Sequence, residues 1–492
     1  MSEVRIRPAK RLYGTLRVPG DKSLSHRALI LAALADGASR LHGLLAGADI
    51  FSTARILEAF GVRMTPFMNQ DDGARGSFGM LAENSIDDFH RVVVDAHASV
   101  WSAVVEGRGF HGLMEPRHVL DAGNSGTTAR LMLGLLAAQP FFAVLSGDDS
   151  LIRRPMRRVV DPLSRMGARF DGREGGDRLP IAVRGGRLTP IDYRLPVASA
   201  QVKSALILAA LYAEGESRII EPGRSRDHTE RLLAQFGHPL TIRSAATGED
   251  PAAERTIVVR PAVRLSPQTL HIPGDFSSAA FFLALGAAHP EAEITLCGVG
   301  VNPTRTGMLD VLQAMGADVE MRFHEADAVE SAYRVQAAEG EPIADLIVRT
   351  SRLTATEIGG TLIPRLIDEL PVIAVLATQA EGTTVIRDAE ELKVKESDRI
   401  GAVVERLQAM GARIRATSDG MIVEGPTPLR PARLDSAGDH RLAMAFAVAA
   451  LLAGGGPDAE TVIEGSEAAD ISYPTFYDDL VCLGAEVGKG NR

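Results

Sequence analysis

Six segments of the chain share one pattern of polar and apolar positions. Each begins with a short turn rich in Gly, Ser, Asp or Asn and continues into a helix-length run that is apolar at nearly every position. The segments are 20–34, 122–136, 198–211, 273–288, 364–377 and 437–453. Because a helix that is apolar all round has no face for water, the pattern predicts six buried helices, with good N-cap chemistry at their starts.

A second phrase alternates with the first. Leu, two residues, a large apolar residue and Gly occur at 57–62, 163–168, 233–238, 312–317, 407–412 and 480–485. A glycine just after a periodic stretch is typical of a helix C-terminus, and strand-like residues usually follow here. The repeats lie too far apart for a solenoid, so the chain is predicted to hold six α/β subdomains, each with one buried and one amphipathic helix.

Two stretches interrupt this pattern. Residues 66–118 and 321–345 are polar or small and only weakly periodic. Both are predicted to be surface elaborations of the repeated unit.

Composition narrows the class of protein. The 492 residues carry 63 acidic and 53 basic side chains, a net charge of −10, which argues against a nucleic-acid-binding surface. The longest apolar stretch, 442–454, is too short to cross a bilayer, and the N-terminus lacks the apolar run of a signal peptide. The two cysteines, Cys297 and Cys482, show no metal-binding spacing. We therefore expect a cytoplasmic protein without membrane or nucleic-acid partners.

Polar and cationic residues gather where the predicted helices begin. They are Lys22, Ser23, Arg27, Asn124, Gly126, Thr127, Arg130, Arg154, Ser199, Gln201, Lys203, Arg226, Lys395, Arg399, His440 and Arg441. Each has an ordinary explanation: a helix cap for Ser23, Ser125 or Ser199, a stem lying along an apolar helix for Arg130 or Lys203, or a solvated face for 395–399. Together they predict a polyanion-binding cleft, because helix N-termini already favour anions.

Two acids accompany these cations. Asp368 and Glu396 lie within the same motifs, and a carboxylate among cations is suited to acid–base catalysis. No nucleophile–base arrangement is evident. The residues alone therefore predict charge clamping and proton transfer on a phosphorylated or carboxylated small molecule.

The ordered motifs GDKSLSHR, GNSGTTAR, RRPM, SAQVKSA, KVKESDR and GDHR resemble those of the 5-enolpyruvylshikimate-3-phosphate (EPSP) synthase family, in its class II bacterial branch. The resemblance implies an inside-out α/β barrel of two domains, each with three βαβαββ units, and an active site in the cleft between them. One domain would span 21–271 and the other 1–20 plus 272–492, with crossovers near Pro19–Gly20 and Ile272–Pro273.

The resemblance also implies the reaction. The enolpyruvyl group of phosphoenolpyruvate passes to the 5-hydroxyl of shikimate 3-phosphate through a tetrahedral intermediate, and phosphate leaves. The pathway leads to chorismate and the aromatic amino acids. The family uses no metal and no organic cofactor, and we expect a monomer.

Site residues follow from the same resemblance. Those expected to hold shikimate 3-phosphate are Lys22, Ser23, Arg27, Ser199, Ala200, Gln201, Arg226, Asp368 and Lys395. Those expected to hold phosphoenolpyruvate are Lys22, Gly126, Arg154, Gln201, Arg399 and Arg441, with Asn124 and Arg130 in support. Asp368 is the expected base for the 5-hydroxyl, Glu396 the proton donor to the methylene, and Lys22 an aid to phosphate departure. His26 is expected to have no more than a structural role.

Some positions depart from the family pattern. Ala200 replaces a frequent serine, Glu391 stands where many members have asparagine, and Ile471 lies near a usual lysine. Gly126 is retained where glyphosate-tolerant members of the branch carry alanine, so glyphosate is expected to compete with phosphoenolpyruvate.

Two other functions are compatible with parts of the sequence. The sister enzyme that acts on UDP-N-acetylglucosamine shares the fold, but it typically has Lys-Asn in place of Lys22-Ser23, and a mobile-loop cysteine that neither Cys297 nor Cys482 matches. A non-catalytic anion-binding protein is disfavoured by Asp368 and Glu396, since a binder of anions gains nothing from buried acids.

Overall fold

A computed structural model describes residues 2–67, 86–95, 98–244, 253–323, 340–455 and 459–490. The chain divides into two compact units. Unit 1 comprises Met1–Pro19, Pro273–Arg334 and Pro342–Arg492, and unit 2 comprises Gly20–Ile272 with Val335–Glu341. Each unit contains its own hydrophobic core.

Unit 2 contains three four-stranded sheets and the helices that connect their strands. Its strands are β3 (Ala38–Leu45), β4 (Arg63–Phe67), β5 (Val100–Glu106), β6 (Leu120–Asp121), β7 (Phe142–Ser146), β8 (Arg169–Gly172), β9 (Arg178–Arg184), β10 (Asp192–Arg194), β11 (Ser217–Glu221), β12 (Thr241–Ser244), β13 (Arg255–Val259) and β14 (Thr269–His271). Its helices are α1 (Lys22–Leu34), α2 (Ala48–Ala59), α3 (Ile86–Asp95), α4 (Gly126–Ala137), α5 (Arg157–Arg165), α6 (Arg173–Gly176), α7 (Ala200–Ala210) and α8 (His228–Gln235).

Unit 1 has the same composition of three sheets with connecting helices. Its strands are β1 (Glu3–Arg7), β2 (Leu12–Leu16), β15 (Ala292–Gly300), β16 (Asp318–Phe323), β17 (Ile343–Arg349), β18 (Glu357–Ile358), β19 (Gly382–Ile386), β20 (Arg413–Ala416), β21 (Met421–Gly425), β22 (Arg433–Asp435), β23 (Thr461–Glu464) and β24 (Glu486–Lys489). Its helices are α9 (Phe276–Ala288), α10 (Gly307–Ala314), α11 (Ile363–Leu366), α12 (Leu370–Ala377), α13 (Arg399–Ala409), α14 (His440–Leu451) and α15 (Phe476–Cys482).

All six sheets have one topology. In the sheet ordered β6-β7-β9-β8, the first pair is parallel and the next two pairs are antiparallel. The sheet ordered β18-β19-β21-β20 repeats this arrangement in unit 1. In space a helix crosses between the parallel strands and a second helix follows, so the elements of each copy correspond to a βαβαββ unit, although the copy β22-β23-β1-β24 takes its inner strand β1 from the start of the chain. The prediction of six such units in an inside-out α/β fold is confirmed.

Two copies take their first strand from a distant part of the chain. Strand β14 pairs in parallel with β3, and β2 pairs in parallel with β15. Strand β14 ends the segment Gly20–Ile272, whereas β2 precedes that segment, so in both copies a strand distant in sequence completes the sheet. Where the segment begins, a Cβ on Gly20 would lie 1.9 Å from the carbonyl oxygen of Gly43, so only glycine fits there.

The helices of the first pattern form the cores. In α9 every residue from Phe276 to Ala287 is buried, and α14 is buried along its whole length. Each buried Leu, Ile or Phe contributes about 1.5–3 kcal/mol to folding. The six glycines of the second phrase all have positive φ, between 80° and 113°, and end their helices as predicted; they are Gly61, Gly167, Gly237, Gly316, Gly411 and Gly484.

The prediction for the two interrupting stretches was wrong for their described parts. Within 66–118, β5 is an inner strand of the sheet β14-β3-β5-β4, and Trp101 and Phe89 are fully buried. In 321–345, β16 and β17 extend into both ends. Residues 68–85, 96–97 and 324–339 lie outside the described part. No helix in the described ranges is long and apolar enough to cross a membrane.

Candidate active site

The N-terminus of α1 places Lys22 beside an acidic residue, Asp49. Asp21, rather than Ser23, caps the helix, since its carboxylate accepts from the backbone N–H of Leu24 at 2.9 Å. Lys22 Nζ lies 3.0 Å from Oδ2 of Asp49, in the first turn of α2. The ammonium therefore has a fixed counter-charge although it stands at the positive end of a helix dipole.

Arg27 lies one turn deeper in the same helix and is buried. Its Nε donates to Thr229 Oγ1 at 2.7 Å, Nη2 donates to Ser204 Oγ at 2.8 Å, and Nη1 donates to the carbonyl of Ser23 at 2.9 Å. Burial lowers the pKa of Arg27 to about 10, and the nearby charge of Arg226 adds to that decrease. The guanidinium is rigidly held, and an arriving anion would stabilise its charge.

The entrance of α4 holds two arginines around a glycine. Ser125 caps this helix, as its sequence suggested, accepting from the N–H of Thr128 at 3.1 Å. A Cβ on Gly126 would lie 3.0 Å from Nη1 of Arg130 and 3.4 Å from Nη1 of Arg154. Asn124 accepts a hydrogen bond from Arg154 Nη2 at 2.7 Å, which supports the predicted positioning contact.

Gln201 links this entrance to α7. Its Oε1 accepts from Arg130 Nη1 at 2.5 Å, and its Nε2 donates to Thr127 Oγ1 at 3.0 Å. Ser199 stands at the N-cap position of α7 but makes no side-chain capping bond, and Ala200 is the first helical residue. The residues predicted around both substrates in this unit thus lie at the N-terminal ends of α1, α4 and α7, except Arg154, which lies between β7 and α5, and Arg226, which lies just before α8.

Lys203 points into the protein instead of toward the entrance. Its Nζ lies 2.8 Å from Glu230 Oε1 and 3.2 Å from Glu221 Oε2, and all three side chains are buried. Burial lowers the pKa of Lys203, but the charges of these carboxylates outweigh it and the pKa is raised. Burial raises the pKa of Glu230. Lys203 is a structural counter-ion beneath the site, not a stem lying along the helix.

Unit 1 contains an acid among three cations. Asp368 Oδ1 lies 3.5 Å from Arg399 Nη1 and 3.8 Å from Lys395 Nζ, and its Oδ2 lies 3.9 Å from Arg441 Nη2. Arg441 also donates to the backbone carbonyl of Asp368 at 3.3 Å. Lys395 Nζ also lies 3.3 Å from Glu391 Oε1. Glu391, one of the residues that depart from the family pattern, is therefore an ion-pair partner of Lys395.

Arg399 organises the second acid. Its Nη2 lies 2.6 Å from Glu396 Oε2, and its Nε lies 2.8 Å from Asp439 Oδ2. Burial lowers the pKa of Arg399, but Asp439 and Glu396 more than offset this effect, so the guanidinium stays charged. Arg399 thus holds Glu396 by a hydrogen bond and lies within ion-pair distance of Asp368, and the side chains of Asp368 and Glu396 are 16% and 25% exposed, which leaves both open to a ligand.

Sequence reasoning missed the acids that hold the cations in place. Asp49 pairs with Lys22, Asp439 pairs with Arg399, and Glu369 lies 4.0 Å from Arg441. In the described ranges no group of three or more His, Cys, Asp or Glu side chains could hold a metal ion. Clamped cations with two partly exposed carboxylates can bind a small polyanion and exchange protons with it.

Comparisons with known proteins agree with this chemistry. The family model for EPSP synthase (3-phosphoshikimate 1-carboxyvinyltransferase) matches residues 6–103 and 92–480. A 3-phosphoshikimate 1-carboxyvinyltransferase of Geobacillus kaustophilus is 50% identical over 475 residues, covering 96% of this chain and 98% of the relative.

Solved structures give the same result. An EPSP synthase from Acinetobacter baumannii is 36% identical, with a TM-score of 0.78, over 99% of this chain and 100% of that chain. The enolpyruvyl transferase NikO from Streptomyces tendae, 18% identical with a TM-score of 0.73, covers 100% of this chain and 99% of its own and shares the fold. The chain belongs to the EPSP synthase family.

Proposed function

We propose that the clamped cations and acids of the two units serve one enolpyruvyl transfer. The family is a transferase family of the shikimate pathway, and this chain moves the enolpyruvyl group of phosphoenolpyruvate to shikimate 3-phosphate with release of phosphate. The observation that carries the assignment of residues is that two partly exposed acids, Asp368 and Glu396, both lie within ion-pair distance of the buried Arg399, since a mere anion-binding site needs no such acids.

Shikimate 3-phosphate is held by residues at the N-terminal ends of α1 and α7, by Arg226 just before α8, and by two residues of unit 1. Arg27, Ser23, Lys22, Arg226, Ser199, Ala200 and Gln201 contact its phosphate and ring, and Asp368 and Lys395 contact its hydroxyl side. The fixed Arg27 favours this role, because a guanidinium already oriented by Thr229 and Ser204 loses little entropy when a phosphate binds.

Phosphoenolpyruvate is held by Lys22, Arg154, Arg399, Arg441 and Gln201, with Gly126 leaving space for it. A molecule with a phosphate and a carboxylate needs several cations, and Arg154 and Arg399 each present a guanidinium oriented by an internal acceptor. Asn124 and Arg130 position Arg154 and Gln201 respectively.

The proton steps fall to the two acids. Glu396 protonates the methylene of phosphoenolpyruvate, Asp368 takes the proton of the 5-hydroxyl as it attacks the central carbon, and a tetrahedral intermediate forms. Lys22 neutralises the phosphate as it leaves, the proton held by Asp368 passes to that phosphate, and the methyl group returns a proton to Glu396. The negative charges that develop are met by cations already in place.

The acceptor decides between this function and that of the sister enzyme. Phosphate release from phosphoenolpyruvate is measured with shikimate 3-phosphate and, separately, with UDP-N-acetylglucosamine. Release with the first acceptor alone is expected. Release with only the UDP-sugar, or with neither, would contradict the assignment.

The same assay measures inhibition. We propose that glyphosate competes with phosphoenolpyruvate at Gly126 and that the protein acts as a monomer. Full activity at millimolar glyphosate would exclude the competition, and sedimentation at twice the chain mass of 52.4 kDa would exclude the monomer.

A further inference from the structure

A buried chain of hydroxyl groups ends on a histidine that the proposed function does not use. His26 Nδ1 lies 2.7 Å from Thr53 Oγ1, which lies 2.8 Å from Thr128 Oγ1, which in turn lies 2.8 Å from Ser125 Oγ. All four side chains are buried. Buried polar groups in such a chain hold the elements that carry them in one arrangement.

The chain of hydroxyl groups connects the N-terminal parts of three helices around Lys22, namely α1, α2 and α4. His26 lies on α1 four residues after Lys22, and Thr53 lies on α2 four residues after Asp49, so each sits one turn below a member of the Lys22–Asp49 ion pair. Thr128 lies in the first turn of α4 and also approaches the carbonyl oxygen of Asp49 at 3.4 Å. These hydrogen bonds therefore hold the N-terminal parts of α1, α2 and α4 together in the interior.

His26 sets the direction of this chain. The hydroxyl of Thr128 donates to Ser125 Oγ, so its oxygen accepts from Thr53. Thr53 has one hydroxyl hydrogen, and once that points to Thr128 its oxygen accepts from Nδ1–H of His26. Burial and the charges of Lys22 and Arg27 hold the pKa of His26 well below its usual value, so the imidazole is neutral.

The entrance of α4 has little spare room. A Cβ on Gly126 would lie 3.0 Å from Nη1 of Arg130, so a displacement of this turn would alter the space that Gly126 leaves for a ligand.

We propose that His26 is a positioning residue for phosphoenolpyruvate: by donating from Nδ1 into the hydroxyl chain, it holds the start of α4, with Gly126, in register with Lys22. The inference rests on the proposed function, because that function places Gly126 and Lys22 against phosphoenolpyruvate. His26 does not touch the substrate. Losing this hydrogen bond would displace the start of α4, with Gly126, while Lys22 stays paired with Asp49, so the effect falls on the binding of phosphoenolpyruvate rather than on shikimate 3-phosphate or on phosphate departure.

Steady-state kinetics of three variants test this role. His26→Leu and Thr53→Val remove the donor and its acceptor, and each is expected to raise KM for phosphoenolpyruvate about tenfold, the effect of one lost buried hydrogen bond. KM for shikimate 3-phosphate and kcat are expected to stay within about twofold. His26→Asn keeps a donor near Nδ1 and is expected to restore most of the affinity.

Thr378→Val is the matched control, because Thr378 is a buried threonine of unit 1 outside the proposed site whose hydroxyl donates to the carbonyl of Val375 at 2.7 Å. Equal rises of both KM values, a lower melting temperature with unchanged KM values, or an asparagine variant no better than leucine would overturn the role of His26. If His26→Leu does not fold, Thr53→Val decides. An inactive wild type removes the proposed function, whereas an active wild type with unaffected variants removes only this inference.

Discussion

Glu396 Oε2 lies 2.6 Å from Nη2 of Arg399, a guanidinium whose side chain is 1% exposed. The buried arginine cannot swing toward solvent, because Asp439 holds its other edge. Glu396 is thus a carboxyl group of fixed orientation whose remaining surface faces outward. Fixed orientation is what a group needs if it is to deliver a proton to one carbon atom of a bound substrate.

Replacing Glu396 by glutamine should slow turnover far more than binding. The amide can still accept a hydrogen bond from Arg399 but cannot donate a proton to the methylene, so kcat is expected to fall about 10²–10⁴-fold with KM values within about threefold. Glu405→Gln is the control, because Glu405 is an exposed glutamate on α13. If kcat stays within about twofold of the wild-type value, Glu396 is not the proton donor.

Asp439→Asn should destabilise unit 1. Asp439 is completely buried, pairs with Arg399 and also caps α14, accepting from the N–H of Arg441 at 2.9 Å. Asparagine can keep the cap but not the charge, so Arg399 would be buried without its main counter-ion, at a cost of about 3–5 kcal/mol. Denaturant unfolding followed by circular dichroism measures the loss, and a change below about 1 kcal/mol would contradict it.

The stability that the Asp439→Asn variant loses should depend on pH. Burial raises the pKa of Asp439, but Arg399 and His440 outweigh it, and the folded-state pKa is lowered. A carboxyl whose pKa is lowered by folding stabilises the protein above its unfolded pKa of about 3.9, and this contribution is lost as pH falls through the folded pKa. The stability difference between wild type and Asp439→Asn should therefore be constant near neutrality and shrink below about pH 4.

The repeats were readable from the sequence because each depends on local chemistry. Gly61 and its five equivalents end helices through a left-handed turn, and the buried helices are visible as unbroken apolar runs. The pairing of β14 with β3 and of β2 with β15 was not readable from the sequence, because each pair joins residues more than 200 positions apart. Strand β5 was missed because the polar residues around it hid a short buried segment.

Part of the site was hidden in the quoted motifs themselves. Three of the six buried helices follow a Gly-Asp pair, and Asp21, Asp275 and Asp439 all cap their helices. Asp275 and Asp439 also pair with the buried Arg305 and Arg399. The recurrence of Gly-Asp was therefore a usable signal for the acids that hold the cations, whereas the burial that makes these pairs rigid depends on tertiary packing.

Lys203→Met should unfold more easily than the wild type, and most strongly at high pH. The change leaves Glu221 and Glu230 buried without their common counter-ion, which costs about 3–5 kcal/mol. Burial already raises the pKa of Glu230. Without Lys203, the folded protein binds a proton on Glu230 at pH values above about 4.3, the pKa of Glu in the unfolded chain, where the unfolded chain binds none.

Acid should consequently rescue this variant. Its free energy of unfolding is expected to increase as pH falls from 8 to 5, while the exposed-lysine control Lys10→Met follows the wild type. Urea unfolding at three pH values measures the trend. A variant whose deficit is the same at every pH would show that Glu230 stays ionised without Lys203.

Gly126→Ala should fold normally and discriminate against small anionic ligands. The new methyl would meet Nη1 of Arg130 at 3.0 Å and Nη1 of Arg154 at 3.4 Å, and because both atoms end flexible side chains they can move by a few tenths of an ångström. The melting temperature should therefore change little, while KM for phosphoenolpyruvate rises about tenfold, within the usual cost of overpacking. Glyphosate should weaken by a larger factor than phosphoenolpyruvate, as the alanine of glyphosate-tolerant members of the resembling branch implies. The control is Gly401→Ala, because at Gly401 on α13 a Cβ would also meet only a side chain, that of Asp398 at 3.0 Å, so the steric cost is matched. Gly438→Ala is unsuitable, because the φ of Gly438 is positive. Equal weakening of substrate and inhibitor, or none, would remove Gly126 from the phosphoenolpyruvate site.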